Sequence, residues 1–186
     1  MLLAESLAER NAVEAAVDRV FRCRPIRSVQ YLIPASMDAD DLVMTESVET
    51  AESGVLFSGK DGNVCLRWSM RGFKESLWLG PFDAAESGPW SPNVKTADVG
   101  SHWGSLFGAT IERSVVCWQR VADVYSVWSI RFDTDAGSFS IALGEIDYES
   151  GDLSYIPDTL VVIFNEAVGR RYRPAVGEVS SWGTLA

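Results

Sequence analysis

Histidine and cysteine, the side chains on which zinc sites and most triads draw, number only one and three in this chain. Cys23, Cys65 and Cys117 are odd in number, far apart and without a CxxC spacing, so they match neither a disulfide framework nor a zinc site and read as reduced thiols. His102 stands in Gly100-Ser101-His102-Trp103-Gly104. Triads and most zinc sites need an imidazole held by a partner, and a glycine-flanked loop promises little such support. His102 therefore reads as a surface histidine with no chemical role. HExxH, GxSxG, GxxxxGK[ST] and GxGxxG are all missing. No apolar run reaches the roughly 18 residues of a membrane span. The first segment, MLLAESLAERNAVEAAVDRVF, has no basic start and carries Glu5, Glu9, Glu14 and Asp18, unlike a secretory signal. The cytoplasm is the expected compartment; no cofactor, metal or membrane partner is expected.

Base is scarce too, and unevenly so. Ser28 to Gly59 holds Asp38, Asp40, Asp41, Glu46, Glu49 and Glu52 and no base. Val121 to Gly169 holds nine acids against Arg131 alone. The remaining residues carry 11 acids and 15 bases, so the net charge of -10 joins two acidic tracts to a mildly basic remainder. A field laid out this way steers a basic partner and disfavours nucleic acid as the direct ligand.

Large apolar side chains are plentiful, with seven Trp and eight Phe in 186 residues, enough for one sizeable core. Leu3, Leu7, Val13, Ala16, Val17, Val20 and Phe21 recur at spacings of three and four, which predicts an amphipathic helix closed by Pro25. Beyond Pro25 the period becomes that of strands. Ile26 to Ile33, Asp41 to Val48, Gly54 to Ser58, Val64 to Met70, Gly72 to Leu79, Ser105 to Val121, Asp123 to Phe132 and Ser138 to Leu143 are the expected strands. Leu160 to Phe164 is apolar at every position and must be covered on both faces, most simply beneath the N-terminal helix. Asn165 can cap a short helix to Tyr172. Residues 174–186 read as a tail. Gly80 to Gly104, with four Gly and three Pro, reads as a long irregular connection.

These elements predict an α+β fold: a largely antiparallel, twisted β-sheet of about 8–10 strands, an N-terminal helix on one face and a short C-terminal helix. At a constant offset of 75, Phe57, Gly62, Val64, Leu66 and Trp68 match Phe132, Gly137, Phe139, Ile141 and Leu143. One domain is expected; the alternative is two related β halves, 1–80 and 105–173, joined by 81–104.

Functional candidates are few. Asp133 to Gly137 resembles the start of a calcium loop, but its register places Gly137 fifth and Gly144 twelfth, so a hairpin turn is expected. Glu75, Glu112, Glu145 and Asp147 could supply a carboxylate pair for glycoside hydrolysis, whose separation sequence does not reveal. Phe82, Trp90 and Trp103 in the long connection are of the type that anchors interfaces, or folds back as a lid. Arg170, Arg171 and Arg173 with Arg19 to Arg27 complement helix ends. The reading that results is a non-catalytic acidic protein that binds a basic protein partner, such as a bacterial immunity protein or antitoxin neutralising a toxin. Its expected contacts are Asp38, Asp40, Asp41, Asp147, Glu149, Asp152, Trp90 and Trp103. The alternatives are a small-ligand protein or carboxylate enzyme with a pocket under the 80–104 connection, and an assembly subunit whose aromatic loops bury in an oligomer.

Overall fold

The computed structural model describes residues 1–59, 62–82, 93–147 and 149–185. The chain opens with β1 (Leu3–Ala4) and α1 (Leu7–Phe21). Strands β2 (Ser28–Pro34), β3 (Val48–Thr50), β4 (Gly54–Ser58), β5 (Val64–Arg71), β6 (Lys74–Pro81) and β7 (Val94–Asp98) follow. The second half holds β8 (Ile111–Val121), β9 (Val124–Thr134), β10 (Gly137–Leu143), β11 (Glu145–Ile146), β12 (Leu153–Ser154), β13 (Leu160–Ile163) and α2 (Glu166–Arg171). The fold is α+β with antiparallel strand pairs, as the alternation predicts. The strands are divided between two sheets. One runs β6-β5-β4-β2-β7; the other runs β9-β10-β13-β3, with β8 on the far side of β9 and β1 beside its start. The β11–β12 ribbon stands apart.

Apolar faces of both sheets close on one core. Phe57 of β4 and Phe132 of β9, the pair at the repeat offset, meet there with ring centroids 6.2 Å apart, and Phe21 of α1 packs edge-on to both. The two hairpins hold corresponding places: β4 and β5 lie between β2 and β6, and β9 and β10 lie between β8 and β13.

Several expectations change. Leu3 is not in the helix but in β1, paired with Ser126; the Ser6 hydroxyl then caps α1 by accepting from the Glu9 amide. Asp41 to Val48 is not one strand. Thr45 Oγ1 accepts from the Ser47 and Val48 amides and donates to the Val48 carbonyl, bending the chain so that only Val48–Thr50 joins a sheet. The 80–104 connection contains β7 on the edge of the first sheet and a 3-10 turn, Ser101–Ser105. β13 is fully buried between β10 and β3, as an all-apolar strand requires. It does not lie chiefly under α1, which packs on β8 and β1; α2 is the helix against it. Asn165 caps α2 as expected, its carboxamide oxygen accepting from the Ala167 and Val168 amides. The segment after Pro174 is no free tail. Trp182 is buried against Gly169, its carbonyl accepts from Arg131, and the Glu178 amide donates to the Trp118 carbonyl. No described helix is long and apolar enough to cross a membrane.

Candidate functional site

β3 is short, but the chain changes sheets just after it: Ala51, Glu52 and Ser53 carry it from β3 in one sheet to β4 in the other. Strand alternation turns Glu49 and Thr50 to opposite faces. Glu49 points between the sheets and is fully buried. Its Oε2 accepts from the Tyr31 hydroxyl (2.5 Å) and the Gly100 amide (3.0 Å), and its Oε1 lies 2.7 Å from His102 Nδ1. Trp103 Nε1–H donates to the Tyr31 hydroxyl (2.7 Å). Burial first, then the Glu49 charge and hydrogen bond, push the Tyr31 phenol well above its ordinary value, so it stays a donor.

The sequence reading of His102 is therefore corrected. The 3-10 turn supplies the rigidity that a glycine-flanked loop did not promise, and the ring stacks on Phe164 at 4.8 Å. Its Nε2 lies 3.0 Å from the Glu46 carbonyl oxygen. Both ring nitrogens face acceptors, a setting that a doubly protonated ring satisfies on both sides and a neutral ring on one. His102 borders a recess of about 440 Å³ with Ser101, Ser105, Ser138 and Asn165. With Nε2 already engaged, the ring is a clasp between β3 and the turn rather than a base turned toward that recess.

Trp103 is buried as well, edge-on to Phe57, Phe139 and Phe164 at 5.9, 4.9 and 5.4 Å. It plugs the space between the sheets, as a folded-back lid would, and does not present its ring to a partner. Trp90 lies outside the described residues.

A second recess, also about 440 Å³, opens on the other side of β3. Its acids come from both acidic tracts: Asp41 and Glu52 from the first, Glu145 and Asp147 from the second. Asp41 ends the 3-10 turn Ala39–Asp41, where its Oδ2 accepts from the Asp38 amide (2.9 Å). Asp147 follows β11, and its Oδ1 accepts from the Glu149 and Ser150 amides, holding the turn of the ribbon. Neither lysine nor arginine lines the recess, and among the described residues none of its four carboxylates is in an ion pair. Burial first, then the Glu145 and Asp158 carboxylates, push the Glu52 carboxyl above its ordinary value. Glu52 also holds a left-handed backbone, φ 46°, which costs a non-glycine residue about 1–2 kcal/mol. Thr50 lines the same recess at 2% exposure, and its hydroxyl has no hydrogen-bond partner among the described residues.

Of the acids singled out in the sequence, Asp41 and Asp147 thus meet at one recess. Asp38 and Asp40 stand beside it on the 3-10 turn, with Asp38 3.6 Å from Lys95. Glu149 and Asp152 are exposed in and beyond the ribbon's turn. Nothing in the sequence pattern singles out Glu52 or Thr50 as site residues, and it offers Glu145 only as a hydrolytic acid. The carboxylate set for hydrolysis is dispersed: Glu75 accepts from the Tyr155 hydroxyl (2.7 Å) and Glu112 is exposed on β8. Asp18 with Arg22 and Glu166 with Arg170 form the i, i+4 pairs that helix ends favour, which accounts for two of the clustered arginines.

Comparison with protein-family models, with curated proteins and with solved structures gave no match to this chain.

Proposed function

We propose that this protein binds a basic protein partner through the acidic recess beside β3, in the manner of an immunity protein or antitoxin that covers a cationic surface. One observation carries the reading: two acidic tracts, far apart in sequence, contribute carboxylates to one concavity that contains no base. An acidic coat that served only solubility would need no such convergence. Burial and the neighbouring Glu145 and Asp158 carboxylates disfavour the Glu52 charge in the free protein, and a basic partner relieves that cost. Asp38, Asp40, Glu149 and Asp152, exposed on or next to the turns that carry Asp41 and Asp147, extend the field and steer the encounter.

The test is affinity capture from the native cell with two baits, the wild type and a variant carrying Asp41→Lys and Asp147→Lys. A basic protein retained by the wild type, lost from the variant, and associating roughly tenfold more slowly when salt is raised from low to physiological strength is the expected result. A partner whose association rate ignores salt and both substitutions would sink the reading. Size measurement across concentration separates it from an assembly subunit, which would report a defined oligomer.

A further inference from the structure

Resting on that reading, we propose that the recess is a socket for a single arginine side chain of the partner, its guanidinium held between Glu52 and Glu145 and over the Thr50 hydroxyl. Four carboxylates line the recess, Asp41 and Glu52 from the first acidic tract and Glu145 and Asp147 from the second. Asp41 and Asp147 already accept hydrogen bonds from their own turns. The carboxylates of Glu52 and Glu145 accept none among the described residues, so their lone pairs are available. The Thr50 hydroxyl, buried and unpartnered, is the group that points to a ligand: a buried polar atom without a partner costs about 1–3 kcal/mol, which an incoming donor recovers.

The chemistry selects among cations. Among the described residues no group of three His, Cys, Asp or Glu side chains stands close enough to hold a metal ion. A guanidinium is planar, carries five N–H donors in a fixed fork and can engage more than one carboxylate at once; an ammonium is a compact point charge. Met37, Val43 and Ile146 supply apolar wall for the methylene stem.

The test is an amide NMR titration of the whole protein at low salt with N-acetyl-arginine methylamide, and in parallel with its lysine and citrulline counterparts and with calcium chloride. Expected are saturable shifts at Thr50, Glu52, Glu145, Ile146 and Ser154 with a millimolar Kd, and none with citrulline. Glu52→Gln and Glu145→Gln should each weaken the response about fivefold, and Thr50→Val about threefold, with the spectra themselves reporting that each variant is folded. Absence of saturation, an equal response to the lysine compound, occupation of the recess by micromolar calcium, or indifference to Glu52→Gln and Glu145→Gln would each overturn the assignment. Its failure is separable from that of the broader reading. If arginine ignores the recess while Asp38→Lys and Asp40→Lys still slow association with a basic partner, only the socket falls.

Discussion

Glu49 and Glu52 are three residues apart, and their surroundings are opposite. Glu49 is the more deeply buried, yet its carboxylate is met by the Tyr31 hydroxyl, the Gly100 amide and the His102 ring. Glu52 is half-buried, meets no donor among the described residues, faces Glu145 and Asp158, and sits on a left-handed backbone. Depth of burial therefore does not tell which acid is available. A buried charge supplied with donors is part of the framework; a partly buried charge without them is a cost that the fold tolerates, and such costs gather where something binds.

The contrast can be broken in order of effect. Replacing Glu49 by Ala should cost about 3–5 kcal/mol in urea unfolding, since it strands the Tyr31 hydroxyl, the Gly100 amide and His102 together. A change below about 1 kcal/mol would show that the clasp is not structural. Gly100→Ala should cost about 1–3 kcal/mol, because a Cβ there would collide with the Glu49 carboxylate. Glu52→Gly should do the reverse and stabilise by about 0.5–1 kcal/mol, removing both the left-handed strain and a crowded charge; destabilisation would deny that Glu52 is under strain. Glu52→Gln should be smallest, a few tenths of a kcal/mol after solvent screening, and it should depend on pH. The folded-state value is raised, so the native state holds more protons than the unfolded chain between the ordinary and the raised pKa. Wild-type stability falls as pH rises through that window. The Gln variant should therefore be the more stable above it and equal below it, and parallel pH profiles of the two proteins would refute the cause assigned to Glu52.

The same two residues show what the sequence could carry. Period-two alternation marked β4, β5, β9 and β10, and an unbroken apolar run marked β13, because burial imposes those patterns locally. β7 escaped because an edge strand such as Val94–Asp98 needs little apolar alternation, and its glycine- and proline-rich flanks read as loop. The acidic tracts are plain in the composition, and two of the acids expected as partner contacts, Asp41 and Asp147, do reach the recess. Glu52 and Thr50 carried no local signal: a glutamate and a threonine near a strand end are ordinary. What sets them apart is the hand-over between sheets and the arrival of the β11 ribbon, some ninety residues later in the chain, which only long-range packing decides. The support of His102 is illegible in the sequence for the same reason, since it comes from Glu49 and Phe164.

β3 is held by three paired positions against β13: Val48 with Ile163, Glu49 with Val162 and Thr50 with Val161. A slip of one residue in that short ladder would exchange its faces. A glutamate would be turned out toward the acids of the recess and a threonine in toward Tyr31, filling the concavity with a fifth carboxylate while removing from the core the carboxylate that meets His102 Nδ1. The bend at Thr45 is what sets the count. Deleting one residue between Met44 and Val48 is thus expected to cost the protein its framework and its opening for a partner in a single step, although neither Glu49 nor Glu52 would have been touched.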